Sequence, residues 1–401
     1  MTDSRPYDIV ILGATGFTGG LTAEYLARVA QGENLRWAIA GRSMKKLDQC
    51  KRRLSKIGGS GSEPGLLRCD VRDPQSLSDT VAQARVLITT VGPYIHHGEP
   101  VVRACIEQQC DYVDLTGEPE FVDRLRHKYG ERAREQGVRI VNCCGFDSIP
   151  HDLGALFTIR ELGKRVEGDV RGEAIKLEGF VTAGGRFSGG TWHSAVHAFN
   201  RWRDYQKDRK YWRKKAAKQP RNSNRIVKAV FPDLRFRRSL GAWAVPFPTI
   251  DPQVVMRSAK AIPDYGARFD YGHYVLVRKL PRVLMGVAAV GGIFTLAQIN
   301  MGRDWLLQQV SQGEGPSESQ RERGWFRVVF QGRSSQCRIT TQVSGGDPGY
   351  DETAKMLAES ALCLAKDDIP KTAGIVTPAI AMGDALITRL QSAGIRFEVL
   401  A

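Results

Sequence analysis

Short apolar runs alternate with longer stretches of helical periodicity through the first 150 residues. YDIVILG reads as a buried strand, and LTAEYLARVA spaces its apolar residues for a helix. LRWAIAG predicts a second strand and MKKLDQCKRRL a basic helix. After the loop GGSGSEPG the alternation resumes: strand LLRCDV, helix SLSDTVAQA, strand RVLITTVG, helix EPVVRACIEQQ. Strand DYVDLTG, helix PEFVDRLRHKYGERAREQG and strand VRIVNCCG complete it. Strands uncharged on both faces and separated by helices predict a parallel sheet covered on both sides.

Beyond residue 150 the pattern changes. AIKLEGFVTAGG predicts a strand and TWHSAVHAFNRWRDYQ a helix. VPFPTIDPQ is broken by prolines, and an uncharged run extends from Val283 to Met301. After the polar loop SQGEGPSESQRERG, the segments WFRVVFQG and QCRITTQVSGG alternate as a hairpin with one wet face. Two helices, YDETAKMLAESALCLAKD and TPAIAMGDALITRLQSAG, and the strand IRFEVL close the chain. The pattern predicts an α/β protein: a Rossmann-type doubly wound parallel sheet with a second mixed α/β domain. The change of pattern sets a domain boundary near residue 150.

The first strand runs into GATGFTGG, with Gly13, Gly16 and Gly19 before the helix. Such a turn brings backbone N–H groups against a diphosphate at the positive end of a helix. Gly13, Ala14, Thr15, Gly16, Phe17, Thr18 and Gly19 are therefore candidate cofactor-binding residues. An NAD site wants an acid at the end of the second strand, but AGRS offers Arg42 and Ser43. A guanidinium pairs with a 2′-phosphate that a carboxylate would repel, so the expected cofactor is NADP(H). Arg42 as a merely solvated residue is the alternative. Asp70 and Val71 end the third strand, where an adenine ring is flanked. Thr90, Val91, Gly92, Pro93 and Tyr94 end the fourth, toward the nicotinamide. Thr116, Gly117 and Glu118 share the same rim, although Glu118 could instead cap the helix that follows.

Tyr94, His96 and His97 are the nearest titratable candidates for a proton donor. Tyr94 either lines the cofactor or acts catalytically; solvation is the simpler reading of the histidines. Asp147 and Ser148 are next, with Asp147 suited to capping the helix at Ile149. A YxxxK pair, Tyr211 and Lys215, falls in a basic run and reads as chance. The turn AGGRFSGGTWHS, with Thr191 as N-cap, is read as a structural turn.

The net charge of +15 points to an anionic partner or to solubility. RWRDYQKDRKYWRKKAAKQPR carries ten Lys and Arg against two Asp, with aromatics between them. An acidic acyl carrier protein or an anionic lipid surface suits it, and so does a solvated helix. No nucleic-acid module accompanies it. The eight cysteines form no CxxC pairs, so neither a metal site nor a disulfide framework is expected. The N-terminus offers no signal region, and a cytoplasmic location follows as the expectation, with peripheral membrane contact open. The run from Val283 is long enough to span a bilayer, but its glycines and amides favour a buried or tunnel-lining helix, with a dip into one leaflet as the alternative.

NCCGFDSIPHDLG, from Asn142 to Gly154, together with GATGFTG, AGR, VGPY and DLTGE, resembles the saccharopine dehydrogenase-like family, specifically its trans-acting enoyl reductase branch. GEGPSESQRERGWF, GGDPGYDETAKMLAESALCLA and TPAIAMGDALITRL extend the resemblance to nearly the whole chain. It implies an NADP-binding domain of residues 1–150, completed by the C-terminal helices of about 350–401 packed on it, and a mixed domain of residues 151–349 for substrate or dimerisation. It also implies reduction of enoyl thioesters or related lipid-like substrates, and membrane or lipid-droplet association as in animal relatives. A saccharopine-type amino-acid dehydrogenase would need fixed cations that the sequence does not place. A membrane-peripheral NADP-binding protein without chemistry is the third reading, and a homodimer remains open.

Overall fold

The computed structural model describes residues 5–58, 63–184, 189–202, 205–207, 210–211, 225–230, 233–247, 249–309 and 316–401. Much of the basic segment, including Trp212 and Lys215, and residues 185–188 of the second glycine turn lie outside these. The chain divides into two compact units, Met1–Ile149 with Asp347–Gly394 and Pro150–Gly346 with Ile395–Ala401.

In the first unit strands and helices alternate: β1 (Tyr7–Leu12), α1 (Phe17–Val29), β2 (Trp37–Gly41), α2 (Met44–Gly58), β3 (Gly65–Arg68), α3 (Pro74–Val81), β4 (Ala84–Thr89), α4 (Tyr94–Glu107), β5 (Asp111–Asp114), α5 (Pro119–Glu135) and β6 (Arg139–Val141). A seventh strand, Gly374–Val376 near the C-terminus, pairs with β6, giving a sheet in which every pairing is parallel. β1 lies between β2 and β4, so the strand order reverses there. In an open α/β sheet that reversal opens a crevice at the strands' carboxyl ends, where ligands bind. Ile9, Val10, Ile11 and Leu12 are buried, as expected for a strand covered on both faces.

The second unit begins with α6 (Ile149–Gly163), whose first residue belongs to the first unit. It continues with β7 (Ala174–Gly184), α7 (Gly189–Asn200), β8 (Ile226–Ala229), β9 (Arg235–Arg237), β10 (Ala242–Pro246), α8 (Asp251–Ala261), β11 (Arg268–Val277), α9 (Leu280–Ala297), α10 (Asn300–Gln308), α11 (Glu318–Arg321), β12 (Trp325–Arg333) and β13 (Arg338–Gly345). β12 and β13 form the antiparallel hairpin that their alternation predicts. The eight-stranded sheet runs β15-β13-β12-β7-β11-β10-β9, with β8 on β11. β15 (Arg396–Val399) is thus part of this sheet, and not of the first unit with the C-terminal helices. It pairs antiparallel with β13, and Phe397 meets Phe157 edge-on at 5.8 Å between ring centroids.

Helices α12 (Asp351–Lys366), α13 (Pro378–Ala381) and α14 (Gly383–Ser392), with β14 (Gly374–Val376) between α12 and α13, belong to the first unit. Charged side chains tie them to the early strands and helices. Arg389 on α14 bonds Glu33, Glu359 and Asp367. Lys366 reaches Asp8 on β1 at 2.9 Å.

One expectation fails in the second unit. α9 is not buried: Leu284, Met285, Val287 and Val290 are 54–64% exposed, and only Val283 and Ala297 on it are buried. Its apolar residues surround the whole helix, so one neighbouring contact cannot cover them. Val196, Ala297 and Leu306 form the small cluster that anchors its C-terminal end.

Asp8 supplies a pH-sensitive contribution to the first unit. Burial would raise its pKa, but hydrogen bonds from Arg36 and Lys366 outweigh that and bring it down to about 2. The carboxylate's contribution is therefore complete above the unfolded value near 4 and disappears as pH falls toward 2. Asp8→Asn is expected to lower stability by about 1–2 kcal/mol at pH 7. Urea unfolding should show the difference from the parent shrinking between about pH 4 and pH 2.

Candidate functional site

The glycine turn is built by close contact. Gly13 adopts φ +97°, and a Cβ there would lie 2.7 Å from Thr90 Oγ1. At Gly19 a Cβ would overlap both the Gly13 carbonyl oxygen and Thr90 Oγ1. Gly16 is less restricted, with a Cβ 3.4 Å from the same carbonyl. The Gly13 amide donates to Ala40 O at 3.0 Å, the Thr90 amide to Leu12 O at 3.0 Å, and the Thr90 hydroxyl to Gly13 O at 3.2 Å. Thr90 therefore braces the turn from below. Ala14 is buried, while Thr15 and Gly16 are exposed at the mouth. Phe17 meets Tyr350 edge-on at 4.8 Å, so the C-terminal segment supports the turn. Thr18 is half-buried in the first turn of α1.

The helix termini at this edge differ in charge. α1 has neither a side-chain cap nor an acid in its first turn. At α4 the Glu118 carboxylate accepts from the amides of Tyr94 at 3.0 Å and Ile95 at 2.9 Å. Glu118 thus caps α4, and makes no side-chain cap on its own helix α5. A carboxylate already occupies the positive end of α4, whereas α1 presents its end to an incoming anion.

Arg42 and Ser43 are both exposed past the end of β2. Ser43 accepts from the Lys46 amide at 3.4 Å, and Arg42 has no hydrogen bond or ion pair among the described residues. Asp70 accepts from the amide and guanidinium of Arg72, which with the field of Arg42 hold its pKa below the usual carboxylate range. Val71 and Arg72 line a cavity of about 340 Å³ together with His96, His97, Pro100 and Arg103. This places the two histidines on the side expected for adenine, and not at the nicotinamide end. α4 runs back from the rim, so its first turn carries them toward the β3 side.

Tyr94 also departs from the catalytic expectation. Its ring is buried and stacked on Phe121 at 5.9 Å, and its hydroxyl donates to Thr89 O at 3.1 Å. Burial, with Asp114 and Glu118 nearby, pushes its pKa well up. A hydroxyl already donating to a buried carbonyl does not present its proton to a substrate. Val91, Gly92 and Pro93 lead into α4, with Gly92 exposed and Pro93 as N-cap.

On the neighbouring rim Asp114 accepts from Tyr112 Oη at 2.8 Å, Asn142 Nδ2 at 2.7 Å, and the amides of Cys143 and Thr116 at 2.9 and 3.1 Å. Burial lifts its pKa to about 6 against these four hydrogen bonds, which favour the charged form. Asp114 pins the DLTGE turn to the NCCG turn, where Cys143 holds φ +66°. Nothing in the sequence singles out Asp114, because a strand-end acid gives no sign of what it will accept. Thr116 is buried and takes the Glu118 amide at 3.1 Å. Gly117 faces Asp147 closely enough that a Cβ would lie 3.0 Å from its Oδ2. Asp147 is exposed beside this rim, and Ser148 is buried.

The family model for the saccharopine dehydrogenase NADP binding domain matches residues 9–141, the span of β1 to β6. A mouse saccharopine dehydrogenase-like oxidoreductase is 33% identical over all of this chain and 99% of its own length. A Mycobacterium tuberculosis protein provisionally named a trans-acting enoyl reductase is 36% identical over 98% of this chain and 97% of its own. The chain belongs to the saccharopine dehydrogenase-like oxidoreductase family. Among solved structures, yeast saccharopine dehydrogenase (L-Glu forming) aligns over 98% of this chain with a TM-score of 0.54 at 14% identity, which is a likeness of fold.

NADP(H) is the cofactor of this oxidoreductase fold, and the residues present fit it. The uncapped α1 terminus and the turn that tolerates no Cβ at Gly13 or Gly19 suit a diphosphate. The exposed Arg42 suits the extra phosphate of NADP. Arg42→Ala is expected to weaken NADPH binding about 10- to 100-fold, the scale of one or two charge-assisted hydrogen bonds. NADH binding should change less than about threefold on the same scale. Fluorescence titration with both nucleotides checks this.

Proposed function

We propose that this protein uses NADPH to reduce the carbon–carbon double bond of an enoyl thioester or a similar lipid-like substrate. The observation that supports it most is the full-length similarity to the mycobacterial protein provisionally named a trans-acting enoyl reductase. When bound, NADPH supplies the hydride for such a reduction. The chain's own residues bind and orient. The α1 amides would hold the diphosphate that links the two halves of the dinucleotide, and Arg42 the 2′-phosphate on its adenosine side. Thr90 keeps the glycine turn compressed, and Glu118 holds α4 in place. Tyr94 acts as an apolar wall whose hydroxyl stabilises the β4 terminus. The enolate's α-carbon then takes its proton from water at the exposed rim beside Asp147.

The amino-acid dehydrogenase reading requires cations free to hold substrate carboxylates. In the second unit Lys176, Arg235 and Arg237 do converge, but on Glu178. Arg237 also covers the Phe180 ring at 5.1 Å. These cations are engaged in the sheet.

The exposed helix α9 supports a lipid surface as the place where substrate is met. Lys279 and Arg282 are exposed at its start, where anionic head groups would lie. An acidic acyl carrier protein, attracted by the net charge of +15, is the corresponding soluble donor.

NADPH oxidation should be detected with enoyl thioesters of medium or long chain, and NADP+ reduction should not be detected with saccharopine. Tyr94→Phe should keep turnover within about threefold while lowering stability by about 1 kcal/mol, the value of one hydrogen bond. Loss of turnover with normal NADPH binding would instead place Tyr94 in the chemistry. Absence of turnover on every enoyl thioester, with NADPH bound, would leave the non-enzymatic reading.

Val287→Asp with Val290→Asp should reduce co-sedimentation with phosphatidylserine-containing vesicles at least about tenfold, since each charge costs about 2 kcal/mol or more in an apolar layer. Thermal stability should hold to within about 0.5 kcal/mol, because both positions are exposed.

A further inference from the structure

Three distant parts of the chain bring chemistry-bearing side chains together inside the second unit. His151 lies in the first turn of α6, Asp251 opens α8, and His273 sits on β11 in the middle of the sheet. All three are buried, with side chains 2–3% exposed. One donor atom from each lies within 4.8 Å of the other two. His273 Nε2 is 3.3 Å from Asp251 Oδ2, and His151 Nε2 is 3.9 Å from the same oxygen. The imidazoles meet edge to face at 4.7 Å between centroids.

We propose that His151, Asp251 and His273 bind one divalent transition-metal ion of the zinc class, which staples α6, α8 and β11 together. Two imidazoles and a carboxylate are a borderline-soft donor set, suited to zinc and its neighbours and not to calcium or magnesium. Around a tetrahedral ion with ligands at about 2.1 Å, donors stand about 3.4 Å apart. Two of the three donor pairs, at 3.3 and 3.9 Å, bracket that figure, and the third lies within 4.8 Å. A hydrogen bond from His273 accounts for the 3.3 Å contact with Asp251, but 3.9 Å is too long for one from His151.

The surroundings suit a metal site too. Tyr271 Oη lies 3.4 Å from His273 Nδ1, the ring nitrogen on the other side from the proposed ion. Such an outer partner orients a ligating imidazole. The Thr249 hydroxyl donates to Asp251 Oδ2 and is 3.4 Å from His273 Nε2, which makes it the nearest further oxygen. Phe247 stacks on His273 at 6.0 Å and screens it. The set has no compact sequence signature, since its members come from a helix, a helix start and a strand far apart in the chain.

The test uses the full chain with any affinity tag removed and its metal stripped by a chelator. Titration with zinc chloride against a chromophoric chelator should show about one equivalent bound below micromolar Kd, with a rise in Tm. His151→Gln with His273→Gln should weaken that binding at least about 100-fold, since ligand loss exceeds the 10- to 100-fold effect of an outer partner. The NADPH-induced thermal upshift should persist in the variant and report that the chain is folded. Should the variant not fold, cobalt(II) added to the stripped parent decides: intense tetrahedral bands without thiolate charge transfer support the site. A pale octahedral spectrum, thiolate bands, no tight zinc equivalent in the parent, or undiminished binding in the folded variant would each overturn it.

Discussion

The contact between Thr90 and the Gly13 carbonyl is the constraint on which the nucleotide unit depends. It holds the end of β4 against the end of β1, and it brings α1 down until only hydrogen fits at Gly19. Any larger group would lift the helix from the sheet and move its amide end away from the crevice. The same compression fixes the reversal in strand order, since β2 and β4 both bond to β1 beneath the turn. Thr90 therefore shapes the cofactor site from underneath.

Charge then decides which helix end remains available. Both α1 and α4 start at this edge of the sheet, and both present a positive terminus. Glu118 neutralises α4, while α1 has no acid in its first turn. Further along, Asp70 is held by Arg72, and Arg42 has no bonded partner among the described residues. A polyanion approaching this edge meets one uncapped helix end and one exposed guanidinium, separated by exposed Thr15 and Ser43. Such a layout favours a dinucleotide carrying an extra phosphate, and it arises from where the carboxylates sit more than from the number of basic residues.

The alternation of strand and helix up to residue 150 was legible because burial on both faces forces continuous apolar runs. The hairpin of β12 and β13 was legible because one wet face forces alternation. β14 escaped because three residues are too few to show a period. β11 escaped because RFDYGHYVLV mixes charge, glycine and aromatics, although it lies inside its sheet beside the central β7. The glycines and Arg42 could be read as site residues because their roles depend on backbone and local charge. The roles of Tyr94, His96 and Glu118 could not, because they depend on directions: toward Thr89 O, toward the β3 side, and back to α4. Residue type and spacing carry no record of direction.

Helix α9 shows the same limit from the opposite side. Its composition favours a buried or tunnel-lining helix, with a dip into one leaflet as the alternative. Only its neighbours discriminate, and they leave Leu284, Met285, Val287 and Val290 largely uncovered. An apolar stretch of this length facing water is unfavourable at about 25 cal/mol per Å², and a monomer rarely keeps so large a patch without a use for it. A Cβ added at Gly286, Gly291 or Gly292 would meet nothing within 4 Å, so close packing does not require these glycines. They do lower the helix's intrinsic stability in water. A helix weakened in this way, yet apolar all round, would gain from apolar cover, which is the physical ground for the lipid surface proposed for it.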